Sequence, residues 1–113
     1  MVDVTTERQD DVLSADVGGR IDGSSAAQFE EAIRTVIEDS DRAVIMDFEK
    51  LVYISSAGLR AILLTAKSLQ SRDAKLVLCS LSEQIREVFE ISGFDKVLAI
   101  HPTRAAALAA LKG

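Results

Sequence analysis

Ala43-Val44-Ile45-Met46-Asp47-Phe48 is an almost unbroken apolar run. A strand of that kind has no polar face to give to water, so it belongs inside a sheet covered on both sides. Close behind it, Leu51-Val52-Tyr53-Ile54-Ser55-Ser56-Ala57-Gly58-Leu59-Arg60 carries a buried strand into a tight turn, and the turn opens a helix at two consecutive serines. Leu59, Ile62, Leu63, Ala66 and Leu69 then recur at helical spacing, with Arg60, Lys67 and Gln70 off the stripe. Strand, turn and helix in this order are the unit of an α/β domain.

Working outward, the same alternation repeats. Upstream, Val12–Val17 alternates apolar and polar residues as a strand does, and Gly18-Gly19 is expected to end it. Val2–Glu7 is polar and Thr-rich, suited to an edge strand, and Gln9-Asp10-Asp11 reads as the turn between the two. Asp22-Gly23-Ser24-Ser25 opens a helix in which Ser25 and Gln28 fit a capping box, and Phe29, Ile33, Val36 and Ile37 share one face. Downstream, Leu76–Cys79 is a second buried strand. Ser82 starts a helix that buries Ile85, Val88 and Phe89 and closes at Gly93. Val97–Ile100 is a last short strand, and Thr103 caps an Ala-rich helix with Leu108 and Leu111. The expected fold is a small α/β domain over residues 1–113: a central mixed, mostly parallel sheet of four to five strands with about four helices packed against it, and an antiparallel edge from the N-terminal strand.

The 113 residues suit one hydrophobic core, and 48% hydrophobic with 27% charged residues is ordinary for a globular protein. Thirteen Lys and Arg against eighteen Asp and Glu give a net charge of -5, which argues against direct binding of nucleic acid or an anionic membrane. One Cys and one His cannot build a disulfide or a Cys/His zinc cage within the chain. Cys79 reads as a buried small hydrophobe and His101 as a solvated loop residue. The first ten residues show no apolar signal core, and no stretch approaches the roughly 20 residues of a membrane span, so a cytoplasmic protein is expected.

Chemistry concentrates at Ser55 and Ser56. In α/β sheets ligands gather at strand C-termini. The first N–H groups of a helix lack intrahelical partners and sit at the positive end of its dipole. A hydroxyl there accepts from these donors, and a phosphate on that hydroxyl meets the same donors. Gly58 is expected to keep the first turn bare for the approach of another macromolecule. Simple capping by the two serines explains the same pattern without any chemistry. A serine hydrolase is disfavoured, because the G-x-S-x-G elbow is absent and His101 has no evident orienting acid. No G-x-x-x-x-G-K-[ST] loop is present for a nucleotide.

Ile54-Ser55-Ser56-Ala57-Gly58-Leu59 resembles the signature of STAS-domain anti-sigma factor antagonists. Gly19-Arg20-Ile21-Asp22 is similar to the Gly-x-x-Asp before the family's first helix. Asp47, Phe48 and Leu51 resemble the approach to its phosphorylation loop, and Val88–Phe94 its third-helix ending. In the family pattern Asp-Ser-[Ser/Thr/Ala]-Gly-Leu the serine is the phosphoacceptor. It matches Ser56, while Ser55 stands where the family has Asp. The resemblance implies a binding module without catalytic residues or cofactors of its own. Unphosphorylated, it would bind an anti-sigma factor that is a serine kinase and so release a sigma factor. Phosphorylation of Ser56 would switch binding off, and a serine phosphatase would restore it. ATP and magnesium would belong to the kinase. The expected partner surface comprises Asp22, Ser55, Ser56, Gly58 and Arg60; Asp22 and Arg60 also read as a turn residue and a solvated helix charge. A scaffold that is never phosphorylated and a transport-associated STAS component are the alternatives.

Overall fold

The computed structural model describes residues 2–112. The elements run β1 (Val2–Gln9), β2 (Val12–Ile21), α1 (Ala26–Val36), β3 (Ala43–Asp47), β4 (Leu51–Ile54), α2 (Ser56–Gln70), β5 (Lys75–Cys79), α3 (Glu83–Ser92), β6 (Ala99–His101) and α4 (Arg104–Lys112). The strands lie in the order β1-β2-β3-β5-β6, with β4 paired to β2. β1 and β2 form an antiparallel hairpin along their whole length, from Val2 opposite Gly19 to Gln9 opposite Val12. Asp10 takes the left-handed conformation of its turn, at φ 58°. Every other strand pair is parallel.

The six residues Ala43–Phe48 are all buried, as the apolar run requires. Their side chains divide between two clusters. Val44 and Met46 join Leu13, Phe29, Ile62, Leu78 and Phe89 in the main core, which α1, α2 and α3 cover. Ile45 points to the other face and packs with Val77, Cys79 and Ala107 of α4. Phe29, Phe48 and Phe89 have no exposed surface, and Phe48 and Phe89 lie with ring centroids 6.4 Å apart. Full burial of such a ring stabilises by about 1.5–3 kcal/mol. Cys79 is buried on the opposite face.

Four local expectations change. First, Gly18-Gly19 does not end β2. The strand continues to Ile21 through a register shift between Gly19 and Arg20, where Gly19 adopts φ +85° and donates its N–H to the Lys50 carbonyl at 3.0 Å. Only glycine takes that conformation without strain. The extended β2 is long enough to hold β3 along Val12–Asp16 and β4 along Gly19–Ile21, so the chain between α1 and α2 forms two strands in place of one. Second, Ser25 is the N-cap of α1 but makes no side-chain cap bond. Its buried hydroxyl instead donates to the Arg20 carbonyl at 3.0 Å and accepts from the Asp22 N–H at 2.9 Å. Third, the chain after Gly93, itself left-handed at φ 80°, makes a 3-10 turn over Phe94–Lys96, and the last strand starts at Ala99. Fourth, that strand includes His101, which is half-buried beside Cys79 and not in a loop. Ser82 and Thr103 cap as read, accepting from the Ile85 N–H at 3.2 Å and the Ala106 N–H at 3.0 Å.

Candidate functional site: the N-terminal turn of α2

β4 ends at Ile54 and α2 begins two residues later, so the chain turns from the sheet directly into the helix. The turn is anchored from both sides. The Ser55 N–H donates to the Ile21 carbonyl at 2.7 Å, which fixes it to the end of β2. The Ser55 hydroxyl accepts from the Gly58 N–H at 3.2 Å and its carbonyl from the Leu59 N–H at 2.9 Å. Ser55 is therefore the N-cap, with extended backbone angles, and it is half-buried. Asp and Ser are about equally good in that role. Ser55 keeps the cap that the Asp of the resembled signature would also provide, without a negative charge beside the next residue.

That next residue, Ser56, is the first residue of α2 and is exposed. Its hydroxyl makes no hydrogen bond to the described residues. The two serines thus divide the work, one holding the helix end and the other presenting a free hydroxyl above it. Ala57 beside it is exposed too.

Gly58 is not the bare approach surface expected of it. It is buried, and a Cβ placed there would stand 2.7 Å from Ile21 Cγ2 and 2.8 Å from Ile54 Cγ1. The missing side chain lets the first turn of α2 settle onto the ends of β2 and β4. Its effect is on position: it sets the height of the helix end.

Asp22 lies in the β2–α1 loop as an acceptor. Its Oδ1 takes the Ser24 and Ser25 N–H groups, each at 3.0 Å, and the Ser24 hydroxyl at 2.7 Å. The Ser24 and Ser25 hydroxyls hold its carboxyl below the usual range, at about 2. Arg60 is exposed on the outer side of α2 and has no ion pair among the described residues. Leu59 faces the core as its stripe requires.

Three residues beside the turn did not emerge from the sequence. Arg20 stands in register with Tyr53 and places its guanidinium 4.4 Å from the ring centroid. Val52 is 63% exposed and Tyr53 39%. Leu51-Val52-Tyr53-Ile54 reads as a buried strand because all four residues are apolar, but only Leu51 and Ile54 face inward; the Arg20–Tyr53 contact depends on the β2–β4 register and has no local signal.

Charged anchors lie elsewhere. Arg104 opens α4 and pairs with Asp16 and, at 3.2 Å, with Asp47, whose other oxygen accepts the Glu49 N–H at 3.0 Å and holds the β3–β4 loop. These groups line a hollow of about 670 Å³ that does not include the Ser56 turn. Arg8 makes two contacts of 2.8 Å to the buried Asp41, which caps the Glu38 N–H at 2.8 Å. Among the described residues no helix is long and apolar enough to cross a membrane, and no group of His, Cys, Asp and Glu is placed to hold a metal.

The family model described as the STAS domain matches residues 3–107. A protein of Bordetella bronchiseptica named as a candidate anti-sigma factor antagonist, BtrV, is 41% identical over 109 residues, covering 96% of this chain and 94% of that one. The anti-sigma-B factor antagonist of Staphylococcus aureus is 27% identical over 100 residues, covering 88% and 93%. Among solved structures, an anti-sigma factor antagonist from Mycobacterium paratuberculosis superposes with a TM-score of 0.90 at 26% identity, covering 100% of this chain and 96% of that one.

Proposed function

The chain belongs to the STAS domain family, and on that premise we propose that it is an anti-sigma factor antagonist switched off by phosphorylation of Ser56. The observation that carries the reading is the exposed Ser56 hydroxyl at the first position of α2, next to a separate residue that does the capping. In this reading the unmodified chain binds an anti-sigma factor with serine kinase activity through the α2 turn, the Asp22 loop and Arg60, in the cytoplasm. The chain catalyses nothing; the kinase brings ATP and magnesium, and a serine phosphatase reverses the modification.

Phosphorylation adds roughly -1.5 to -2 charge at pH 7. Inside the domain that charge sits at the positive end of the helix dipole, where the interaction is mildly favourable, about 0.3–1 kcal/mol. The fold is retained. At an interface docked on the helix end, the same group brings bulk, a desolvation penalty and negative charge. A loss of about 4 kcal/mol weakens binding roughly a thousandfold.

The test is labelling by the cognate anti-sigma kinase with ATP, followed by mass spectrometry. One phosphate on Ser56, none on Ser55, and no labelling of Ser56→Ala is the expected result. Phosphate on Ser55 refutes the assignment, and no phosphate on a kinase-binding chain favours the scaffold reading.

A further inference from the structure

Resting on the reading of Ser56 as phosphoacceptor, we propose that Arg60 is the internal partner of the phosphoryl group, so that phosphorylation withdraws the cation of this surface as well as adding an anion to it. Ser56 and Arg60 are both in α2, four positions apart, and both are exposed. Residues at that spacing lie one above the other on a helix, with Cβ atoms about 5–6 Å apart. Every Cα–Cβ bond of a helix tilts toward its N-terminus, so a long side chain at the later position leans back over the earlier one. The Arg60 guanidinium therefore reaches the space above Ser56, where the phosphate oxygens would stand. An anion placed N-terminal to a cation at this spacing is also the favourable order with respect to the helix dipole.

No carboxylate among the described residues pairs with Arg60. Arg60 has no ion pair or hydrogen bond among the described residues, so the phosphate has no carboxylate to displace. The carboxylate and cation of α1 that approach α2, Glu30 and Arg34, line the groove beside Leu64, Thr65 and Ser68 in its C-terminal half. The strands packed under α2 offer Lys75 at the opposite end of β5 and no charged residue in β4. On the neighbouring β2 and its loop, Arg20 is stacked on Tyr53 and Asp22 is bound to Ser24 and Ser25. Guanidinium and phosphate pair through two parallel N–H···O bonds, a geometry that an ammonium lacks.

Before phosphorylation Arg60 is a free cation beside Ser56, available to an acidic group of the anti-sigma factor. Afterwards it is engaged within the domain. The partner thus loses an ion pair at the moment it gains a like-charge conflict.

The experiment uses the full chain with phosphoserine incorporated at position 56 during synthesis, which makes it independent of any kinase. Phosphorus NMR follows the titration of the phosphate in the unaltered chain and in Arg60→Gln, Arg60→Lys and Arg20→Gln. The expected result is that the phosphate dianion binds a proton about 1.5- to twofold more weakly with Arg60 than with Gln at 60. Lys should keep part of the effect and Arg20→Gln should leave it intact. Equal proton affinity with Arg and Gln at 60 overturns the proposal, and so does loss of the effect on changing Arg20 alone. Failure of kinase labelling at Ser56 in the separate assay would remove the functional reading while leaving this titration interpretable.

Discussion

Gly58→Ala tests the packing beneath the switch. The new methyl would lie 2.7 Å from Ile21 Cγ2 and 2.8 Å from Ile54 Cγ1, both on buried side chains at the ends of β2 and β4. Neither neighbour is the loose end of a flexible chain, so the helix end or the strand ends must move. Overpacking of this kind costs about 1–3 kcal/mol. Against it stands the helix propensity of Ala over Gly, about 1 kcal/mol. The two effects nearly meet at the low end, and the contact distances, well inside van der Waals separation, place this site above it. The net expectation is a destabilisation of about 1–2 kcal/mol, or a fall in Tm of roughly 4–10 °C for a domain of this size. Gly23→Ala is the control, since a Cβ there meets nothing within 4 Å. Urea denaturation of the two variants reads the difference directly. The penalty should shrink in an Ile21→Ala background, because one of the two clashing groups is then gone. A Gly58→Ala variant as stable as the unaltered protein, or more so, would refute the argument that this glycine exists for close approach of helix and sheet.

Two further expectations concern single groups. Ser55→Ala should cost about 0.5–2 kcal/mol by removing the cap on Gly58, whereas Ser56→Ala should stay within about 0.5 kcal/mol, because its hydroxyl bonds to nothing among the described residues; chemical denaturation reads both, and equal losses would contradict the division between the two serines. Arg8 holds the Asp41 carboxyl below the usual carboxylate range. That stabilisation is fully present above the unfolded value near 3.9 and is lost as the pH falls through the folded value. Asp41→Asn should therefore flatten the acid limb of the stability profile below about pH 4 while lowering stability at pH 7, as followed by denaturation across pH.

Much of the fold was legible because the core strands announce themselves. Ala43–Phe48 and Leu76–Cys79 are apolar on both sides, and only the middle of a two-sided sheet accommodates such runs. The α2 stripe and the caps Ser82 and Thr103 were equally local signals. β4 was not separated from the turn, since its four residues are half exposed and its pairing exists only because β2 continues past Gly19. That continuation depends on one glycine conformation, and Gly-Gly reads as a break until its register is seen. Ser25 followed a capping pattern, but its hydroxyl is taken up by the Asp22 N–H and the Arg20 carbonyl. At the site, the place of Ser56 at the start of α2 was legible from the strand–turn–helix pattern. The direction of Gly58 was not, because sequence places a glycine at a turn without saying which side of it is crowded. Arg20 and Tyr53 meet across two strands whose register no local pattern encodes.

The central claim is that one phosphate on Ser56 abolishes partner binding without unfolding the domain. The direct measurement is the affinity of the cognate anti-sigma factor for the chain carrying phosphoserine at 56 against the unmodified chain, by calorimetry, with circular dichroism on both forms. The expected result is a loss of about a thousandfold in affinity, equivalent to about 4 kcal/mol, with unchanged spectra. Equal affinity of the two forms would contradict the switch.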